Sequence, residues 1–541
     1  MEKNEGNGKS ILSEKDIQNL NIRGLSNENI NIQIDRFIRG NIPISLVRPA
    51  EIDDGIIRFG KERRLELIEK FDLIRNNITI SKFIPASGAA TRMFGNLISS
   101  LEKIRHNILT QEELISSEND QKYFSDFIHA LKEHEFPFHD DLSEKVNDGG
   151  ENLDDLISVN DIKKILEYIL EEKGLNYGSL PKGLLKFHKY SDRSVTAIAE
   201  HFAEAVLYSK DIKDTVDIHF TISEKYLEIF ENEMEEEKKI FDLMGISLRT
   251  EFSFQDISTN TLSFNRSGEP VRDEKDEILL RAGGHGSLIK NLEKVSSDLI
   301  FIKNIDNITT IDKLRDTIES KKLLGSFLIE IRNKIFNSIK TLPRIIKDGE
   351  SINEIYCFAK DVLNIPFPVN FIEFDLDKKK IILFEKLNRP VRVCGMVKNM
   401  SEPGGGPFWI ENNKGEITLQ IVEASQINGN SPEQMEIFSG SSYFNPVDIV
   451  CSIKNSMGNR FDLENFIEDS RYFISEKEYR NEKIKVIEHP GLWNGGMEKW
   501  ISLYVEVPLS TFNPVKFLND LLKENHKPSG NISFSELLLN Q

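Results

Sequence analysis

The residue types best able to do chemistry lie in short glycine-rich or polar stretches between apolar runs, and the first of them is Lys82 to Gly95, KFIPASGAATRMFG. Phe83 and Ile84 lead into the small-residue turn Ala86-Ser87-Gly88-Ala89-Ala90, then Thr91-Arg92-Met93 and a helical pattern through Ile98 and Leu101. The spacing predicts a strand, a tight loop and a helix start. Such a junction offers bare backbone N–H groups and the positive end of a helix dipole, both suited to phosphate oxygens. A P-loop carries a lysine within its own turn; this loop does not, so its charge has to come from Arg92 beside it and from a lysine elsewhere. Further stretches of the same kind are Pro181-Lys182-Gly183, Gly284-His285-Gly286 and Asn304-Ile305-Asp306-Asn307. His134 and His139, near Asp140 and Asp141, fit no zinc template and are expected on a solvated surface. Cys357, Cys394 and Cys451 are odd in number and far apart, which argues against a disulfide framework and a zinc knuckle.

Positioning these stretches requires a large scaffold. At 541 residues the chain has room for about three or four domain-sized units, and 39% hydrophobic with 29% charged residues is the balance of a globular protein rather than a disordered one. Its formal charge of −19 repels nucleic acid and anionic membrane as partners. Any anionic ligand must therefore meet a local basic site. The opening MEKNEGNGKS lacks the apolar core of a signal peptide, and no apolar run reaches membrane-spanning length. Cytoplasm is the expected compartment.

Taken in order, residues 1–80 read as a helical N-terminal segment, ending in helical spacing from Lys61 to Ile74. Residues 81–450 read as an α/β core with helical insertions at about 94–175 and 310–385, and residues 451–541 as a C-terminal α+β region. Strand patterns are expected at Val216–Ile222, Glu251–Gln255, Leu299–Ile302, Phe371–Phe384, Arg389–Val397, Phe408–Ile410 and Ile417–Val422, and a helix at Ser194–Tyr208. Phe444-Asn445-Pro446-Val447 recurs as Phe512-Asn513-Pro514-Val515; Asn before Pro suits a helix N-cap, so two helix starts are expected. Trp493, in Pro490-Gly491-Leu492-Trp493-Asn494-Gly495-Gly496, is expected in the core.

In this order the stretches resemble those of nucleotide-sugar pyrophosphorylases of the UDP-glucose and UDP-N-acetylhexosamine type. Gly88, Thr91 and Arg92 match that family's Gly-Gly-x-Gly-Thr-Arg loop, and Pro181-Lys182-Gly183 its Pro-Lys-Gly segment. Phe254-Gln255 is similar to its nucleobase strand, Gly284-His285-Gly286 to its Gly-His-Gly turn, and Asn304 to Asn307 to its Asn-x-Asp-Asn metal strand. Lys398 with Gly404-Gly405-Gly406, the Leu419 to Gln426 segment with Glu423, and Phe444-Asn445 continue the series. Ser87 and Ala90 stand where the family has glycine, and Pro403 where it has a second lysine. The chain as a whole also resembles a bacterial family of similar length sharing the PASGAATRM, GGHG and PGLWNG stretches, for which no activity is established.

The resemblance implies a Rossmann-like, GT-A-like nucleotidyltransferase core on a mixed sheet. It implies a reaction in which a sugar 1-phosphate attacks the α-phosphorus of a nucleoside triphosphate, UTP favoured, releasing pyrophosphate. A phosphate monoester is mostly dianionic at neutral pH, so no side-chain base is needed, and catalysis reduces to positioning and charge neutralisation. On that basis Arg92, Lys182 and Lys398 are the candidate catalytic cations and Asp306 the ligand of Mg2+. Ala86, Ser87, Gly88, Thr91, Gln255, Gly284, His285 and Gly286 are candidates for holding the nucleotide, and Glu423 and Asn445 for the sugar. The partners implied are a nucleoside triphosphate and a sugar phosphate; oligomeric state is not readable. Two alternatives stay open: a nucleotide-sugar binding protein without turnover, and a glycosyltransferase on a related core, which would favour a paired Asp-x-Asp where Asn304-Ile305-Asp306 has one carboxylate.

Overall fold

ISKFIP forms the strand Ile80–Pro85, buried at every position but the last, and LIFI forms the fully buried strand Leu299–Ile302. Continuous burial on both faces is the signature of strands covered by helices on both sides. The computed structural model describes residues 11–88, 90–116, 121–347, 349–400, 404–480 and 482–539, and divides into two units, each assembled from separated stretches of chain.

One unit comprises residues 67–253, 301–323 and 508–541. Its strands lie in the order 301–302 (the end of the strand Leu299–Ile302), Ile80–Pro85, Thr215–Ile222 and Ser247–Phe254, with Ile80–Pro85 and Thr215–Ile222 parallel. The helix Ala197–Ser209, capped by Thr196, is buried along almost its whole length. The expected first insertion is helical: Gly95–Arg105, Gln111–Ser116, Gln121–Lys132, His139–Asp148, Leu153–Ser158 and Ile162–Leu170.

The other unit comprises residues 1–66, 254–300 and 324–507. Its main sheet is mixed, in the order Glu51–Ile52, Gly55–Ile57, Ile501–Glu506, Val391–Lys398 and Tyr443–Ser452. The first four run parallel to their neighbours, and the last is antiparallel to Val391–Lys398. Smaller antiparallel sheets join Ser45–Pro49 to Gly406–Glu411 and Ile417–Val422, and Leu280–Ala282 to Asn260–Phe264, Glu482–Glu488 and Phe473–Tyr479. The chain is thus mixed α/β.

Four sequence expectations are corrected. Residues 371–384 are helical, in the turn Phe371–Glu373 and the helix Leu376–Leu387, because Asp375 caps the helix by accepting from Lys378 N–H. The N-terminal segment is not only helical: after Glu14–Ile22 and Asn27–Arg39 it forms the three short strands from Ser45 to Ile57. Neither Phe-Asn-Pro-Val copy starts a helix. Phe444 to Val447 lies inside a strand, where Val447 takes φ +62° beside a register shift, and Pro514 forms a bridge to Asn307. His139 is buried, stacked on His134 at 3.8 Å between ring centroids, because its neighbours Phe136 and Phe138 are core residues.

Candidate functional site

In the unit holding the Ala86–Arg92 loop, two buried lysines shape what the loop and Asp306 rest on. Lys82 lies on the strand leading into the loop, and Lys303 follows the strand leading to Asp306. Lys82 Nζ is 3.0 Å and Lys303 Nζ 2.6 Å from opposite oxygens of Glu204, all three side chains being 3% exposed or less. Burial opposes ionisation of Glu204, but Lys303 and Lys82 outweigh it and hold the carboxyl well below its usual range. Burial draws Lys82 down to about 7, against the attraction of Glu204. Lys82 also donates to the carbonyl of His201 at 3.1 Å, and His201 Nε2 donates to the Ile305 carbonyl at 3.0 Å. Burial keeps that imidazole neutral, with its pKa well below normal. One helix thereby bridges the strand Ile80–Pro85 to the end of Leu299–Ile302 and fixes the residue before Asp306.

Above this cluster, residues far apart in sequence converge. Ala90 N–H donates to the Leu180 carbonyl at 3.2 Å, and Lys182 N–H faces the Gly88 carbonyl at 3.5 Å. Lys182 Nζ donates to Asp306 Oδ2 and to the Val515 carbonyl, each at 2.7 Å. Val515 N–H in turn donates to the Asp306 carbonyl at 2.9 Å, and Asn513 N–H to Asn307 Oδ1 at 2.8 Å. Arg92 and Thr91 are exposed at the end of the loop, and Ala86 and Ser87 lead into it from the strand. Gly88 has open space where a Cβ would go. The Phe512 to Val515 stretch is the part that motif reading missed; its Asn-Pro pair suggested a helix, whereas its backbone forms one wall of this site.

The remaining candidates lie in the other unit, in two places. His285 stacks on Trp493 at 4.1 Å between centroids and accepts from Leu492 N–H at 3.0 Å, with Nε2 3.9 Å from Glu423. Trp493 is therefore half-buried against a candidate residue rather than a core anchor. Gly284 takes φ +76°, where L side chains are strained, and a Cβ on Gly286 would sit 2.2 Å from the Pro490 carbonyl oxygen. The Gly-His-Gly turn and the Pro490 to Gly496 stretch are thus one interlocked element. Glu423 also lines a cavity of about 320 Å3 with Asn399, Gly404, Gly406, Ser441, Tyr443 and Phe444. Lys398 is exposed at the strand end beside Asn399, and Asn445 is buried, its Oδ1 accepting from Val447 N–H. Gln255 engages Thr259 Oγ1 and Asn260 Oδ1 through its amide nitrogen, at 3.1 and 3.4 Å. Pro403 and Ala89 lie outside the described residues.

Among the described residues no cluster of three or more His, Cys, Asp or Glu side chains could hold an ion by itself. A Mg2+ that bridges phosphates needs only one or two protein carboxylates, and Asp306, with 24% of its side chain exposed, fits that lesser role.

A family model described as a domain of unknown function, DUF4301, matches residues 13–527. The chain belongs to the DUF4301 family. No curated protein matches its sequence. Solved structures similar to this DUF4301 chain include the UDP-N-acetylglucosamine pyrophosphorylase of Trypanosoma brucei in complex with an inhibitor (11% identity, 88% of this chain and 72% of that chain covered, TM-score 0.44). They also include a UDP-glucose pyrophosphorylase variant of Leishmania major in complex with UDP-glucose (11% identity, 94% and 77% covered, TM-score 0.43). A third is the UDP-glucose phosphorylase of Trypanosoma brucei (13% identity, 94% and 77% covered, TM-score 0.43). No helix among the described residues is long and apolar enough to cross a membrane.

Proposed function

We propose that this protein is a sugar-1-phosphate nucleotidyltransferase on a Rossmann-like, GT-A-like core, joining a nucleoside triphosphate to a sugar 1-phosphate with release of pyrophosphate. The observation that carries this is the convergence of the Ala86–Arg92 loop, Lys182 and Asp306, which the collinear motifs single out and hydrogen bonds join. Loop N–H groups and the Arg92 guanidinium neutralise the triphosphate. Lys182 supplies a mobile point charge to the attacking or α-phosphate, and Lys398 is assigned to the phosphates through the motif resemblance alone. Asp306 would hold Mg2+, which would supply neutralisation of charge on the phosphate oxygens. Gln255 and the Gly284-His285-Gly286 turn are assigned to the base, UTP favoured, and Glu423 and Asn445 to the sugar, through the motif resemblance.

The test is pyrophosphate production by the full chain with Mg2+, each nucleoside triphosphate in turn and a panel of sugar 1-phosphates. At least one combination is expected to turn over, and Asp306→Asn and Lys182→Met are each expected to lower kcat by about a hundredfold or more. Near-normal turnover in Asp306→Asn would remove Asp306 from the mechanism. No pyrophosphate with any combination, together with tight UTP binding, would favour a binding protein without turnover.

A further inference from the structure

Lys182 occupies the carboxylate that the proposed reaction assigns to a divalent ion. Its ammonium bonds Asp306 Oδ2 at 2.7 Å and sits with only 12% of the side chain exposed. The seat is a built one, because the Val515 carbonyl accepts a second bond at 2.7 Å and Val515 is itself pinned to Asp306 by a backbone bond. The root of the same side chain lies against the loop, through Lys182 N–H and the Gly88 carbonyl. A lysine head on a flexible four-carbon stem anchored there can serve either the carboxylate or an anion on the loop. It cannot stay on Asp306 beside a doubly charged ion without strong like-charge repulsion.

We infer that Lys182 is the resident counter-ion of Asp306, and that a divalent cation arriving at Asp306 displaces it toward the Ala86–Arg92 loop, so that metal and phosphate bind cooperatively. This rests on the reading of Asp306 as metal ligand but concerns binding, not turnover. Thermodynamic reciprocity requires the metal to raise phosphate affinity by the factor by which phosphate raises metal affinity.

The experiment uses the full chain without nucleotide. Mn2+ alone is titrated and its free concentration followed by paramagnetic resonance, in wild type, Lys182→Met, Lys182→Arg and Asp306→Asn. Removing the resident charge should tighten Mn2+ by about tenfold in Lys182→Met, while Lys182→Arg, which keeps the charge, stays near wild type and Asp306→Asn loses the site. In calorimetry with inorganic phosphate, saturating Mg2+ should raise wild-type affinity by about fivefold or more and raise that of Lys182→Met by distinctly less, the part lost being what the displaced lysine contributes. Equal Mn2+ affinity in wild type and Lys182→Met, with the site lost in Asp306→Asn, would overturn the counter-ion inference and leave the metal reading standing. Undiminished Mn2+ binding in Asp306→Asn would overturn both. Turnover is measured separately, so loss of activity and loss of coupling are distinguishable.

Discussion

At the scale of single residues, the buried cluster of Lys82, Lys303 and Glu204 is an arrangement that is costly to bury. Two lysine side chains and one carboxylate are withdrawn from water, and such an arrangement is tolerable only while every charge keeps its partner. Glu204→Gln should therefore cost about 3–5 kcal/mol of stability, measured by denaturant unfolding, whereas Arg92→Gln, at an exposed position, should change stability by less than about 0.5 kcal/mol while weakening nucleotide binding. A Glu204→Gln protein as stable as wild type would show that the cluster is not a fixed support. None of these buried partners was legible in the sequence. Lys82, Lys303 and Glu204 look like ordinary charges in a linear reading, and only the fold aligns Glu204 on its helix with two lysines that are each 99 or more positions away in the chain.

Among the elements, the glycines separate structural from chemical roles. Gly286 has no room for a Cβ beside the Pro490 carbonyl, while Gly88 faces open space. Gly286→Ala should lower stability by about 1–3 kcal/mol and Gly88→Ala by much less, as thermal unfolding of the two variants will show; the reverse order would contradict the interlocked turn. The loop's departures from glycine at Ser87 and Ala90 thus need not deform it: Ala90 is buried and its N–H bonds the Leu180 carbonyl.

The C-terminal segment carries a second buried network in the same unit. His188 Nδ1 lies 2.7 Å from Glu200 and Nε2 lies 2.9 Å from His526. Tyr190 donates to the same Glu200 oxygen at 2.7 Å. Burial drives both histidines down to about 3. Between pH 6.5 and that value the unfolded chain binds more protons than the folded one, so stability falls as pH falls through this window. Two such groups alone would give a slope of up to about 2–3 kcal/mol per pH unit, and Glu200, whose carboxyl is raised by burial well above its usual range, works against them and reduces the net slope. His526→Asn should flatten it in unfolding measurements from pH 7 to 4; an unchanged slope would assign the acid sensitivity elsewhere.

For the molecule as a whole, the sequence reading carried the broad class well and the connectivity poorly. The apolar runs LIFI and Phe83-Ile84 marked covered strands, and the helical spacing across 94–175 was equally legible. Phe371 to Phe384 misled because alternating apolar residues there are followed by a capping aspartate that decides for helix. The convergence of the candidate residues was legible where short motifs mark them, at Gly88, Lys182 and Asp306, and illegible where backbone atoms join them, at Ile305 and Val515. Each unit is built from stretches far apart in the chain, a pairing that local periodicity does not encode.

With a net charge of −19, capture of a triphosphate would depend on local cations, and the proposed function has those cations serve nucleotidyl transfer. Its most direct measurement runs the reaction backwards: full-length protein with Mg2+, radiolabelled pyrophosphate and a panel of nucleoside diphosphate sugars. The proposed function predicts label entering a nucleoside triphosphate, dependent on one or a few of the sugars and abolished in Asp306→Asn. Absence of label in triphosphate with every sugar tested, by a protein that is folded and binds those sugars, would contradict it.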